Sequence, residues 1–179
     1  MKRLTLLRHA KSGWDEPVAR DFDRPLNAKG RRAARRIGEW LRQEGVRADH
    51  VVGSPAIRVV ETLEELAVGL GETLAPAWDR RVYLASASTL LDVVQEAPDA
   101  ADTLMLVGHN PGLEDLALLL IPDTDGARRE EVEEKFPTAA IAEIEFDVDR
   151  WKDVGANGGT LRRFVRPRDL DPTLGPEHA

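Results

Sequence analysis

The chain has 179 residues, 42% of them apolar, which suits one ordinary domain with a core of its own. Twenty-five Lys and Arg against 32 Asp and Glu give a net charge of −7, which argues against wrapping by nucleic acid. Absence of Cys excludes disulfides, iron–sulfur clusters, thiolate zinc sites and cysteine nucleophiles. The longest apolar run, Leu116 to Ile121, is too short to cross a bilayer, and charge interrupts Met1 to Arg8 too early for a signal peptide. A cytoplasmic protein without a membrane partner is expected. Charge is uneven: residues 1–90 carry 16 basic and 12 acidic side chains, residues 91–179 carry 9 and 20. A positive first half can attract an anion, although solvated charge on helix faces explains the asymmetry equally well.

In chain order, Leu4 to Leu7 is a short apolar run ending in charge, a buried strand that stops near Arg8. Residues 13–26 lack periodicity and form a loop. Asn27 caps a helix from Ala28 to Glu44, with Ala33, Ala34, Ile37, Trp40 and Leu41 on its inner stripe and Gly45 as its stop. Val51-Val52 is a strand closed by Gly53-Ser54-Pro55, and Ile57 to Val68 is a helix ended by Gly69. Leu74 to Leu84 supplies a strand and a loop. Ser88 caps a helix that stops before Pro98, and Thr103 to Val107 is a buried strand running into Gly108-His109-Asn110-Pro111-Gly112. Leu113 to Leu120 is an apolar helix, and 122–135 an exposed acidic connection with a short helix. Ala140 to Phe146 alternates like a strand wet on one face, and Asn157-Gly158 turns into a last strand, Leu161 to Val165. The prolines after Pro167 point to a tail, 169–179, that is loosely held behind a domain spanning 1–168.

Strand–helix alternation predicts a single-domain α/β/α sandwich around a mostly parallel sheet, with the last strand antiparallel. In such sheets ligands sit beyond the carboxyl ends of the strands. Three of those ends carry unusual chemistry: Arg8-His9-Ala10-Lys11-Ser12, Ser54-Pro55-Ala56-Ile57-Arg58 and Gly108-His109-Asn110. If they adjoin, His9, His109, Arg8 and Arg58 share one small volume, and so much positive charge is unfavourable without an anion. Arg forks suit phosphate oxygens. Taken singly, each His is a structural hydrogen-bonding residue and each Arg an ion-pair partner, and His50 and His178 keep that plain interpretation. Two histidines could also begin a metal site, but no third His or carboxylate stands at a companion strand end, so neither metal nor cofactor is expected.

Those residues carry a resemblance. Arg8-His9-Ala10-Lys11-Ser12 resembles the Arg-His-Gly signature of the histidine phosphatase superfamily, with Ala10 for Gly. Ser54 to Thr62 resembles its second arginine motif, and Val107-Gly108-His109-Asn110 its second histidine motif. Together with Asp21-Phe22-Asp23-Arg24-Pro25-Leu26 and Lys135-Phe136-Pro137-Thr138-Ala139, the pattern is similar to the small SixA-type phosphohistidine phosphatases. The resemblance implies a phosphoglycerate-mutase-like fold. It makes His9 the nucleophile, with Arg8, Arg58 and His109 as the cradle for phosphate oxygens. Ser12 could add a hydroxyl donor or merely cap a turn, and Asp15 is left out of the binding set because a carboxylate repels phosphate. Glu72, Asp79 and Asp92 fall where larger relatives keep a general acid. Asp79 is the best of the three, unless it pairs with Arg80 or Arg81. The implied partner is a phosphohistidine-bearing protein or a small phosphorylated substrate. Two alternatives stay open: a small-molecule phosphomonoesterase or phosphosugar mutase, and a module that binds a phosphorylated ligand without turning it over.

Overall fold

In the computed structural model of the chain the described residues are 1–13, 17–18 and 20–176, the side chains at 125, 127 and 128 excepted; Trp14, Asp15 and His178 lie outside them. Among the described residues six strands form one sheet: β1 (Lys2–Arg8), β2 (His50–Gly53), β3 (Ala77–Trp78), β4 (Thr103–Gly108), β5 (Ile141–Phe146) and β6 (Gly159–Val165). Their order is β3-β2-β4-β1-β5-β6. The first four strands of that order are parallel, and β5 runs against both β1 and β6. The expected antiparallel pairing of the last strand is therefore present, and β5 is the strand that reverses. Among the described residues no helix is long and apolar enough to cross a membrane.

Alternation along the strands sends side chains into two cores. Leu4, Leu6, Leu104, Leu106 and Ile144 pack with α3 (Ala87–Gln95) and α4 (Gly112–Leu120). Leu7, Val51, Met105, Val107 and Ile141 pack with α1 (Ala28–Glu44) and α2 (Ile57–Leu70). A three-layer α/β/α sandwich results. Helix α1 has the predicted bounds because its ends are set locally: Asn27 accepts from the Gly30 amide, and Gly45 takes the left-handed conformation.

Other boundaries move for tertiary reasons. Gly69 does not end α2; the helix continues to Leu70, with Gly71 as its left-handed stop. Gly69 lies where a Cβ would stand 2.0 Å from the Arg35 carbonyl oxygen of α1, so this glycine permits a helix contact. Gly38 is its counterpart, with the Leu66 carbonyl 2.3 Å from a built Cβ. Ser86, two residues before the predicted cap, accepts from the Thr89 amide and caps α3. Strand β5 is not wet on one face. Glu143 is 5% exposed. Arg163 stands 4.0 Å from its carboxylate and reaches over the Trp40 ring of α1, closing that face. Where sequence predicts a loose tail, Pro167–Leu170 forms a short helix and Pro172–Leu174 a 3₁₀ turn. Leu170 and Leu174 rest on the α1–α2 core, so those apolar side chains hold the segment down.

Replacing Gly69 by Ala should push α1 and α2 apart, because the obstructing atoms are backbone. A loss of about 1–3 kcal/mol is expected in urea denaturation, with an unchanged slope. Stability equal to the parent protein would mean that the helices separate freely.

Candidate active site

Strands β2, β4 and β1 are neighbours, so their carboxyl ends adjoin as sequence predicts. The ladder continues one residue past each end: the His9 amide donates to the Gly108 carbonyl (3.0 Å) and the Ser54 amide to Val107 (3.1 Å). These bonds fix the backbones from which His9, Ser54 and His109 project. On the far side the Ala139 amide, at φ +60, donates to the carbonyls of both Arg8 and His9. The Thr62 hydroxyl joins α2 to the same loop, accepting from the Ala10 amide (2.9 Å) and donating to the Arg58 carbonyl (2.6 Å).

The two imidazoles lie 5.3 Å apart, centroid to centroid, and both are buried. The Nδ1–H of His9 donates to the Ala10 carbonyl at 2.7 Å, which assigns the tautomer and leaves Nε2 with a free lone pair. Burial pushes His9 down to about 3; the bond to Ala10 opposes the shift, and His109, Arg58 and Arg8 add to it. His109 is engaged at both nitrogens. Its Nδ1 accepts from Arg58 Nη2 (3.2 Å), so its Nε2–H donates to Ser54 Oγ (2.8 Å). Burial, and then Arg58, push His109 down to about 4, with Arg8 adding to the shift and Asp21 opposing it. Both rings are therefore neutral at physiological pH. Without a ligand, His109 thus receives Arg58 at Nδ1 and directs its Nε2–H to Ser54, so a contact with a phosphate oxygen would draw on that Nε2–H.

Arg58, 3% exposed, is in turn held by Asp21. Its Nη1 donates to the Asp21 carbonyl (2.9 Å) and its Nη2 to the carboxylate (3.0 Å). Tyr83 and Arg24 also donate to that carboxylate, at 2.7 and 2.8 Å. Burial opposes the charge on Asp21, but these hydrogen bonds and the Arg58 guanidinium hold its carboxyl well below the usual carboxylate range. Tyr83 packs edge-on against both His109 and Phe22. The anion that the converging cations require is thus supplied by the chain itself. Asp21 and Tyr83 were not predicted as site residues. Asp21 opens the Asp21-Phe22-Asp23-Arg24-Pro25-Leu26 motif, but nothing local says that it returns to the strand ends.

Arg8 donates to the Phe136 carbonyl at 3.1 Å, where Asn110 also donates (2.9 Å), while its Nε is buried without a partner. Burial lowers the Arg8 pKa, with the charge of Glu114 opposing and that of Arg58 adding. The Ser12 hydroxyl is likewise buried and unpartnered, beside an isolated bridge from Ser12 to Leu26. Asp79 plays the plainer part. It caps a 3₁₀ turn and receives the Arg81 amide and guanidinium at 2.8–3.2 Å. Hydrogen bonding from Arg81 lowers its pKa, which leaves it no proton to give at neutral pH. Among the described residues no cluster of three His, Cys, Asp or Glu could hold a metal ion.

A bare neutral imidazole nitrogen, two guanidiniums and unpartnered buried donors suit attack on a phosphoryl group and stabilisation of the charge that develops there. In NMR titration of the ligand-free protein, the ring signals of His9 and His109 should remain those of neutral imidazole from pH 8 to pH 5. The unfolded chain protonates these rings near pH 6.5. Stability should therefore fall as pH drops from about 6.5 toward the folded values, because there the unfolded state binds more protons. A midpoint near 6.5 for either ring would contradict the burial argument.

Comparison with known proteins agrees with the geometry. The model of the histidine phosphatase superfamily, branch 1, matches residues 4–81. An uncharacterized protein of Mycobacterium tuberculosis is 37% identical over 165 residues, covering 90% of this chain and all of that one. A structure assigned as the phosphohistidine phosphatase SixA of Nakamurella multipartitia superposes with a TM-score of 0.80 at 28% identity, over 93% of this chain and 96% of its own. A second so assigned, from Agrobacterium tumefaciens, gives 0.78 at 27% identity, over 93% and 98%. With the three strand-end motifs assembled at one edge of a phosphoglycerate-mutase-like sheet, the chain belongs to the histidine phosphatase superfamily.

Proposed function

We propose that this protein is a phosphatase that takes a phosphoryl group onto Nε2 of His9 and releases it to water, with protein phosphohistidine as its substrate. The observation that carries this reading is the His9 tautomer: the bond from Nδ1–H to Ala10 leaves one nitrogen unprotonated in a buried, positively framed site. A binding module needs donors only. A nucleophile needs that lone pair. Likeness to structures assigned as SixA supports the choice of substrate.

In the proposed reaction Nε2 attacks phosphorus in line with the departing group. The new P–N bond forms as the substrate's P–N bond breaks, and the released imidazole takes its proton from solvent. Charge on the non-bridging oxygens is met by Arg8, Arg58 and the Nε2–H of His109, and the Ser12 hydroxyl is available as a neutral donor. Water then attacks phosphohistidine-9, the P–N bond to His9 breaks, and orthophosphate leaves. Because Asp21 engages Arg58 in the free protein, an incoming phosphoryl group competes with that carboxylate or shares the guanidinium with it.

Leaving-group chemistry favours phosphohistidine. Asp21 and Asp79 are both held ionised, so neither can protonate a departing alkoxide. General acid catalysis is worth roughly 10²–10⁴-fold when such a group must leave. Imidazole and phenolate leave with less help.

Two measurements test this reading. His9→Ala should remain folded and lose turnover, whereas Arg58→Ala should lose about 2–4 kcal/mol of transition-state stabilisation, with only partial recovery in Arg58→Lys. Substantial turnover by folded His9→Ala would remove the covalent mechanism. Across substrates, kcat/KM should fall in the order phosphohistidine, aryl phosphate, alkyl phosphate. If alkyl monoesters are turned over equally well or better, the protein is a general phosphomonoesterase.

A further inference from the structure

Arg8 also borders a second concavity, about 260 Å³ in volume, whose charged walls are all of one sign. Its cations are Arg8, Lys11, Lys29, Lys135, Arg166 and Arg168, drawn from the end of β1, the start of α1, the segment before β5 and the C-terminal segment. Among the described lining residues there is no acid. The chain as a whole carries −7, so this is a local concentration of positive charge against the overall balance.

Three of the six cations are occupied. Arg166 is paired with Asp169 (2.9 Å), Lys29 donates to the Gly175 carbonyl, and Arg8 donates to Phe136 while its Nε stays unpartnered. The side chains of Lys11, Lys135 and Arg168 make no hydrogen bond or ion pair among the described residues. Gathering such groups around a hollow is unfavourable unless an anion enters it. Pro137 and Leu174 add apolar wall, which lowers the local dielectric and strengthens any charge contact made there. The hollow is concave and small, and so suits a single acidic group.

We propose that this cavity is a second anion subsite. It holds a carboxylate or phosphate carried by the substrate beside the phosphoryl group that His9 receives, with Arg8 shared between the two sites. In a phosphohistidine protein that group is an acidic side chain next to the phosphorylated histidine. The assignment rests on the phosphatase reading, and the test separates the two.

The test variant is Lys135→Gln combined with Arg168→Gln. Both side chains are exposed, and neither serves the histidine pair. Equilibrium dialysis with labelled sulfate should find a second ion on the parent protein besides the one at His9. The double variant should bind that second ion about tenfold more weakly, as loss of a charge-assisted hydrogen bond implies. In kinetics, a phosphohistidine peptide flanked by Glu should be preferred about tenfold, through KM, over the same peptide flanked by Gln. The preference should vanish in the double variant, while turnover of the Gln peptide stays within about twofold. Sulfate binding unchanged by the double substitution overturns the subsite. A second sulfate without any preference for the Glu peptide reduces it to a site for free anions and overturns the substrate assignment. If neither peptide is hydrolysed, the phosphatase reading falls, and sulfate binding still decides the subsite.

Discussion

Burying two imidazoles beside two guanidiniums is the constraint around which this molecule is arranged. Desolvation alone would expel the charged forms, and mutual repulsion adds to it. The chain meets the problem in two ways. Burial keeps both rings neutral, while the Ala10 carbonyl fixes one tautomer and Arg58 with the Ser54 hydroxyl the other. The chain also brings Asp21 against Arg58 as a resident counter-charge. A pocket for a dianion is thereby stable when empty, and its ligand meets donors whose positions are already set.

The backbone supplies the necessary rigidity. Parallel pairing of β1, β2 and β4 places three loop starts side by side, and continuation of their ladders past the last side chain of each strand leaves little freedom at His9, Ser54 and His109. Thr62 and Ala139 add restraints from α2 and from the entry to β5. The chemistry thus rests on strands that are distant in sequence and adjacent in the sheet, with α2 packed against their ends.

Much of this is legible in the chain, and what is not has identifiable causes. Strand ends at Arg8, Gly53 and Gly108 can be read because a buried apolar run stops at a polar one. The α1 bounds can be read because Asn27 and Gly45 act on their own helix. Gly69 misleads because a glycine that ends a helix and one that admits a neighbouring backbone look alike in one dimension. Ser88 misleads because Ser86, two residues earlier, has the same chemistry and the better position. Glu143 suggests a wet face until Arg163 and Trp40, from different elements, are seen to cover it. Among site residues, His9, His109, Arg8 and Arg58 follow from position at strand ends. The roles of Asp21 and Tyr83 depend on how the β1–α1 and β3–α3 connections return over the sheet, which no local pattern encodes. Asp79 is the converse: its pairing with Arg81 is local, and the neighbouring basic residues already announce it.

The connection from β1 to α1 has a closed base. The Asn27 amide bonds to the Lys11 carbonyl, Ser12 bridges to Leu26, and Gly30 lets the first turn of α1 lie so close that a Cβ would stand 2.1 Å from the Lys11 oxygen. The described residues between these clamps pack on the fold as a small module, with Phe22 against the α1–α2 core and Tyr83. Yet the same module delivers the Asp21 counter-charge to Arg58. A change at Asp21 therefore resets how strongly the empty pocket is neutralised. Selection could therefore retune phosphate affinity in this scaffold through a surface loop, leaving every group in contact with the transferred phosphoryl untouched.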